Sequence, residues 1–163
     1  MRPAKLSEEL SHRLRDFGCH LILVMADGHI LREYILNLPP LGIYNFHVSV
    51  LPQYRGASPV ETAIACGEKV TGISLMEVVH EMYAGDVLDI EKVRIAEADF
   101  ASNVYHKLSQ PCVAVIEHNI ANIIREKAKR TKTGCHQSNI LHNGITLGIG
   151  KIVPDGSEIV SGE

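Results

Sequence analysis

Apolar residues in this chain follow helical spacing in some segments and form short continuous runs in others. A first helix, ending at Gly18, is predicted by apolar residues three or four positions apart: Leu6, Leu10, Leu14 and Phe17. Residues 20–26 form an almost unbroken apolar run, which is typical of a parallel strand covered on both faces. Further patterns predict helices over residues 30–36, 58–66 and 99–124. They predict strands over residues 42–46, 70–79 and 86–95. This mixture of helices and strands predicts an α/β fold.

Two of the predicted helices carry signals that concern single positions. Ser58, Pro59 and Glu61 combine a capping hydroxyl, a proline at the first helical position and a glutamate that can reach back to the cap. We therefore expect a capping box at the start of that helix. Pro111 falls inside the last helical pattern and lacks the N–H that a helix interior uses, so we expect a kink or two separate helices there.

Length and charge restrict the classes of protein to which the chain can belong. Its 163 residues are enough for one domain with a single core, and a net charge of −3 gives no overall positive field for a polyanion. No apolar run approaches the ~20 residues of a membrane span, and the first five residues do not resemble a secretory signal. We interpret the basic residues between 125 and 132 as a solvated helix end rather than a nucleic-acid site.

The four cysteines are widely spaced and none of them forms a C-x-x-C pair. A zinc site needs ligands in close pairs that reach one tetrahedral centre, so we expect no metal site. We interpret the cysteines as reduced thiols, which indicates an intracellular compartment.

Polar side chains suited to catalysis lie at the end of the second predicted strand. Asn45 and His47 are two positions apart, so strand alternation places both on one face, towards the carboxyl edge of the sheet. Open α/β sheets bind ligands at that edge. In the loop that follows, Leu51 and Pro52 can hold an apolar ring while Arg55 supplies polar contacts. Asn45 and His47 are therefore the candidate catalytic pair.

A longer motif surrounds these two residues. Residues 45–56, which read N-F-H-V-S-V-L-P-Q-Y-R-G, resemble the N-x-H-x-S-L-L-P-x-[YW]-R-G signature of folate-dependent formyltransferases, and within that family most closely the methionyl-tRNA formyltransferases. Other family motifs are resembled, in the same order, by residues 25–31, 56–60, 71–76, 85–88 and 144–152. The resemblance covers roughly residues 10–152.

For the fold, the resemblance implies a partial Rossmann-like formyltransferase domain: a mostly parallel sheet flanked by helices, in which the family's first βαβ half has no counterpart. It implies a catalytic core over residues 1–127, and over residues 128–163 a linker with the start of a further, C-terminal domain. In the family the first strand pairs with the strand that residues 20–26 resemble, so we expect this segment to expose an apolar strand edge.

For the activity, the resemblance implies transfer of a formyl group from 10-formyltetrahydrofolate to the α-amine of methionyl initiator tRNA, a step of translation initiation. Attack on the formyl carbonyl creates an oxyanion, towards which the Asn45 amide and an imidazolium form of His47 can point. His47 can also move a proton between the amine and the leaving folate nitrogen. The folate-binding residues implied by the family's loop and pterin turns are Ser49, Val50, Leu51, Pro52, Ile30, Leu31 and Met82.

One departure from the family concerns its third catalytic group, an aspartate in L-D-T-G-D. Aligning Gly85 and Asp86 puts Tyr83 at that position, with Glu81 and Asp86 as neighbouring carboxylates that could replace it. A phenol with a pKa of about 10 is not an anion at pH 7. Loss of an orienting carboxylate costs about 10⁴-fold in other histidine-dependent sites, so we expect weak activity.

The partners implied by the resemblance are initiator methionyl-tRNA and folate, bound by a monomer without a metal or a membrane. The divergent catalytic turn favours a mitochondrial location, and a bacterial chain would be cytoplasmic. Two alternatives stay open: an inactive or folate-binding fragment, and a formyltransferase for another amine, such as glycinamide ribonucleotide or a sugar nucleotide.

Overall fold

The fold is a single sheet with helices packed against it. The computed structural model describes residues 8–25, 31–81, 84–125 and 131. The strands are β1 (Ile22–Met25), β2 (Ile43–His47), β3 (Val70–Glu77) and β4 (Val87–Arg94), and they lie side by side in that order. The helices are α1 (Glu8–Asp16), α2 (Glu33–Leu36), α3 (Pro59–Ala65) and α4 (Ala101–Ile124). The predicted α/β class is confirmed.

The direction of the strands differs from the prediction. β1 and β2 are parallel, but β2 and β3 are antiparallel, and so are β3 and β4. A mostly parallel sheet is therefore wrong for the described strands. β1 and β2 are joined by a crossover that contains α2, as a parallel pair requires, whereas the short connection between β3 and β4 allows only an antiparallel pair.

The main core lies between the sheet and α4. Residues at helical spacing along α4 are buried against β3, β4 and α3: Val104, Leu108, Cys112, Val115 and Ile123. This stripe continues on both sides of Pro111, and α4 is one uninterrupted helix, so the alternative of two helices is wrong. The burial of the stripe outweighs the backbone hydrogen bond that proline removes.

The predicted capping box at the start of α3 is also wrong. Ser58 is the N-cap and Pro59 the first helical residue, but the Ser58 side chain makes no capping hydrogen bond. Thr62 Oγ1 instead donates to the Ser58 carbonyl at 2.7 Å, and Glu61 accepts a hydrogen bond from the Tyr105 hydroxyl on α4 at 3.2 Å. The Glu61 carboxylate therefore bonds to α4 instead of to the backbone N–H of the N-cap residue.

β1 lies at the edge of the described sheet, where it pairs with β2. Its residues alternate between half-buried and exposed, and Leu23 and Met25 are 42% and 53% exposed. The expectation that this strand is covered on both faces is therefore wrong for the described residues. Apolar side chains of this strand are exposed at the edge of the described sheet.

Some predictions fall outside the described residues. They concern the proposed boundary between residues 127 and 128 and the segment beyond it, except residue 131. They also concern the turn residues 26–30 and 82–83. Thr131 pairs with Val87 of β4 through two backbone hydrogen bonds. Among the helices described above, none is both long enough and apolar enough to cross a bilayer.

Candidate active site

Asn45 and His47 lie on the last three residues of β2, at the carboxyl end that it shares with β1. Their spacing puts both on one face of the strand, as predicted from alternation. Across the antiparallel pairing with β3, Asn45 is opposite Met76 and His47 is opposite Ser74. Asn45 is half-buried and His47 is 6% exposed. The structure therefore holds the imidazole in a rigid strand beneath the loop that follows.

The backbone of that loop determines the tautomer of His47. Its Nε2 lies 3.1 Å from the Tyr54 carbonyl oxygen. A carbonyl can only accept, so Nε2 carries the proton, and in the neutral ring the basic nitrogen is Nδ1. Tyr54 has a φ of 53°, in the left-handed region that is uncommon for a tyrosine. This turn of the chain aims the Tyr54 carbonyl at the imidazole.

The pKa of His47 is lowered from its usual 6.5. Burial of the ring is the largest cause, the positive charge of Arg55 acts in the same direction, and the hydrogen bond to the Tyr54 carbonyl opposes both. His47 is therefore neutral at pH 7. The lowered pKa disfavours the imidazolium form expected from the sequence, because charging a buried ring is costly.

The loop is attached to β3 by a pair of buried hydrogen bonds. Ser74 Oγ donates to the Ser49 carbonyl at 2.7 Å and accepts from the Leu51 N–H at 3.1 Å. Ser49 Oγ in turn donates to the Gln53 carbonyl at 2.7 Å, and the Leu51–Pro52 peptide bond is cis. Ser49 and Ser74 are fully buried. These bonds fix the course of the chain directly after His47.

The residues predicted to bind folate divide by their exposure. Ser49 is fully buried, and Leu51 packs with Met76 and Val87 in a second apolar cluster, so the side chains of Ser49 and Leu51 are directed into the protein. Val50 is half-buried and Pro52 is exposed, which gives these two a surface that a ligand can touch. Leu31 is half-buried before α2, and Ile30 and Met82 lie outside the described residues.

Sequence reasoning missed two features of this site and the burial of a third residue. The Tyr54 carbonyl acts through the backbone, which no residue pattern reveals. Ser74 had a usable signal, since it is a hydroxyl between two apolar residues of a buried strand. Arg55 was identified as a source of polar contacts, but its side chain is only 7% exposed and its Nε has no hydrogen-bond partner.

The turn between β3 and β4 carries the expected carboxylates, while Tyr83 lies outside the described residues. Glu81 is exposed and Asp86 is half-buried, with its carbonyl accepting a hydrogen bond from Glu77 N–H at 2.9 Å. Gly85 lies against β3 so closely that a Cβ there would be 1.8 Å from the Glu77 carbonyl oxygen. The G-D pair of the family motif is thus a point where two backbones meet.

A metal centre and a further cavity are the other features to compare with this site. Within residues 8–25, 31–81, 84–125 and 131, no group of three or more histidine, cysteine, aspartate or glutamate residues could hold a metal ion. A shallow surface cavity of about 260 Å³ lies beside the amino ends of β1 and β2, away from His47. It is lined by Leu14, Arg15, Gly18, Cys19, His20, Leu38 and Pro40.

Comparison with known proteins agrees with this geometry. Residues 1–120 match the family model described as "Formyl transferase". The chain is 37% identical over 126 residues to a methionyl-tRNA formyltransferase of Halalkalibacterium halodurans, an alignment that covers 77% of this chain and 40% of that protein. The chain thus spans less than half the length of this curated relative.

Solved structures have the same fold. A phosphoribosylglycinamide formyltransferase from Anaplasma phagocytophilum superposes with a TM-score of 0.68 at 24% identity, covering 79% of this chain and 66% of that one. An N-formyltransferase from Helicobacter canadensis, solved with folinic acid and dTDP-3-aminofucose, gives a TM-score of 0.53 at 25% identity, over 56% of this chain and 34% of that one. By its matched residues, its fold and the residues at the end of β2, the chain belongs to the formyltransferase family.

Proposed function

We propose that this chain carries the catalytic core of an enzyme that transfers a formyl group from 10-formyltetrahydrofolate to the α-amine of methionyl initiator tRNA. The observation that carries the proposal is the placement of Asn45 and a neutral, buried His47 on one face of β2, beneath a loop that exposes Pro52. The methionyl-tRNA acceptor is supported by the curated relatives of that name, at 37% identity or more.

The residues around His47 fit a folate donor. Val50 and Pro52 offer apolar surface in the loop that follows His47, and Arg55 holds a buried N–H donor without a partner. When bound, the folate supplies the formyl carbon and leaves with a proton on its nitrogen. Pro52 and Val50 would hold the ring, while the buried bonds from Ser74 keep the loop in place.

In the reaction that we propose, His47 and Asn45 have separate tasks. As the amine nitrogen bonds to the formyl carbon, the carbonyl electrons move onto oxygen, where the Asn45 amide N–H donates. His47 accepts the amine proton at Nδ1, since Nε2 already carries a proton directed at the Tyr54 carbonyl. The bond between the formyl carbon and the folate nitrogen then breaks, and the proton passes to that nitrogen.

A second acceptor is considered because solved relatives act on other amines. The phosphoribosylglycinamide formyltransferase of Anaplasma phagocytophilum shares the fold, but at 24% identity the likeness extends to the fold alone. The curated relatives therefore favour methionyl-tRNA over glycinamide ribonucleotide.

The test is a formyl-transfer assay of the chain with radiolabelled 10-formyltetrahydrofolate and either methionyl initiator tRNA or glycinamide ribonucleotide. We expect formylmethionyl-tRNA with the wild-type chain and at least about 10²-fold slower formation with His47→Gln. Product from the ribonucleotide alone would replace the proposed acceptor. Folinic acid binding without any transfer would favour the folate-binding fragment, and absence of both would refute the proposal.

A further arm of the assay concerns the position of the family's aspartate. We expect Tyr83→Asp to raise the transfer rate, by up to about 10⁴-fold, because a carboxylate is an anion at pH 7 and a phenol is not. Tyr83→Phe is the matched control, and it should leave the rate unchanged. A rate that is equal in all three chains would show that position 83 is not the aspartate position of this site.

A further inference from the structure

Tyr54 makes one hydrogen bond through its backbone and another through its side chain. Its carbonyl oxygen lies 3.1 Å from Nε2 of His47, and its hydroxyl donates to the Glu68 carboxylate at 2.5 Å. The residue has a φ of 53°, in the left-handed region that is unfavourable for a residue with a side chain. Such a backbone persists only where surrounding contacts hold it. The hydrogen bond to Glu68 is a contact of this kind.

The position of Glu68 is itself fixed by the end of α3. Gly67, with a φ of 72°, donates its N–H to the Ile64 carbonyl at 2.9 Å. The Glu68 N–H donates to the carbonyl of Ala63, a fully buried residue, at 3.0 Å. These two bonds are those of a Schellman motif, which closes the carboxyl end of a helix. The Glu68 side chain therefore starts from a defined backbone position beside the loop.

The bond between Tyr54 and Glu68 joins the loop to α3. Tyr54 precedes the helix and Glu68 follows it, so the bond closes the loop and the helix into one unit. The buried bonds from Ser74 act earlier in the loop, at Ser49 and Leu51. Glu68 therefore holds the part of the loop whose carbonyl contacts the imidazole.

Rotation of the Tyr54 backbone would turn its carbonyl away from His47. A hydrogen bond weakens steeply as its angle departs from linear, so a change of φ at Tyr54 weakens the bond to Nε2. Without that bond, the Tyr54 carbonyl no longer holds the proton on Nε2. The hydrogen bond from the Tyr54 hydroxyl to the carboxylate opposes this rotation. Glu68 thus acts on the imidazole through Tyr54.

We propose that Glu68 is a positioning residue of the candidate active site. By accepting the hydrogen bond of the Tyr54 hydroxyl, it keeps the Tyr54 carbonyl directed at Nε2 of His47, so that Nδ1 is presented to the attacking amine. The inference rests on the proposed function, in which His47 accepts the amine proton at Nδ1. It concerns the Nε2 side of the ring alone, whatever else the imidazole contacts.

The test is the exchange of the His47 Nε2 proton with water, followed by NMR in the full chain labelled at its histidine nitrogens, which needs no formyl transfer. The resonance is the one that His47→Gln removes. We expect a protonated Nε2 in the wild-type chain and exchange about tenfold faster or more in Glu68→Leu, because a hydrogen bond to a charged group is lost. Tyr54→Phe should have the same effect, and the double variant should exchange no faster than either single variant. Glu68→Gln keeps an acceptor oxygen and should exchange more slowly than Glu68→Leu.

Glu61→Leu is the matched control. Glu61 belongs to α3 and accepts a hydrogen bond from another tyrosine hydroxyl, that of Tyr105 on α4, at 3.2 Å. The substitution removes a bond of the same type that joins α3 to α4 instead of to the loop. The exchange of the His47 proton should therefore stay as it is in the wild-type chain.

The outcomes separate this inference from the proposed function. A wild-type ring protonated on Nδ1 alone overturns the inference, and so does an exchange rate that Glu68→Leu and Tyr54→Phe leave unchanged. Equal acceleration by Glu61→Leu also overturns it, because it would show a general loosening of α3. Tyr54→Phe, which loses a single oxygen, carries the test if Glu68→Leu does not fold.

If the proton exchanges as expected but no acceptor is formylated, the positioning role stands and the proposed function fails. In an active chain, Glu68→Leu should lower kcat by up to about 10²-fold and leave KM for the folate unchanged, because the base is displaced while the binding surface remains. A change in KM alone would assign Glu68 to folate binding and overturn the inference.

Discussion

Removing the Ser74 hydroxyl should destabilise the chain more than its size suggests. Ser74→Ala deletes one oxygen but leaves two buried backbone groups without partners, the Ser49 carbonyl and the Leu51 N–H. Each unsatisfied buried group costs about 1–3 kcal/mol, so the free energy of unfolding should fall by about 2–6 kcal/mol. Few proteins have much more than about 5–15 kcal/mol to lose.

Ser49→Ala is a matched control, because it makes the same chemical change at an equally buried residue. It leaves only the carbonyl of Gln53 without its partner, and Gln53 is an exposed residue whose bond to Ser49 is only partly buried. We therefore expect a loss of about 0.5–1.5 kcal/mol.

Urea unfolding followed by circular dichroism measures the difference. With a slope of about 2 kcal/mol per molar, a loss of 3 kcal/mol lowers the midpoint by about 1.5 M while the slope stays constant. Folinic acid should also bind more weakly to Ser74→Ala, since the loop carrying Val50 and Pro52 is no longer tied to β3. Equal losses for the two variants would refute the reasoning, because they would show that the buried backbone groups find other partners.

Three further predictions concern His47 and the turn between β3 and β4. His47→Gln should lower kcat by at least about 10²-fold, with a circular dichroism spectrum like that of the wild type. His118→Gln, on the exposed side of α4, should leave kcat unchanged. If the His47→Gln chain were as active as the wild type, His47 would have no part in the reaction. Because its pKa is lowered in the folded state, His47 should also lower the free energy of unfolding as pH falls below 6.5, where the unfolded chain binds the proton more readily. His47→Gln should remove that part of the pH dependence measured by urea unfolding. An unchanged pH profile in this variant would contradict the prediction. Gly85→Ala should cost more than about 3 kcal/mol in thermal denaturation, since its Cβ would be 1.8 Å from the Glu77 carbonyl, and a loss below about 1 kcal/mol would show that the turn can move away.

Local patterns predicted the elements because each depends on residues close in sequence. The spacing of Asn45 and His47 on β2 follows from strand alternation, and the start of α3 at Pro59 follows from the restricted backbone of proline. The resemblance of residues 45–56 to a known signature then located the candidate site within the chain.

Predictions that depend on distant parts of the chain failed for a common reason. The direction of β3 depends on where the loop after β2 returns the chain, and Glu61 is drawn from its cap by Tyr105 of α4. The protonation of His47 depends on burial and on Arg55. Such effects arise only when separate elements come together, and no window of the sequence contains them.

The signature loop therefore combines two kinds of residue that look alike in sequence. Ser49 and Leu51 are directed into the protein and hold the loop against β3, whereas Val50 and Pro52 offer surface to a ligand. In the proposed reaction this division has a use, since the buried polar contacts of the loop fix the surroundings of His47, and a base acts on an amine only if its ring is held in position. The backbone carbonyl of Tyr54 meets both needs, because it orients the imidazole and leaves Nδ1 as the basic nitrogen.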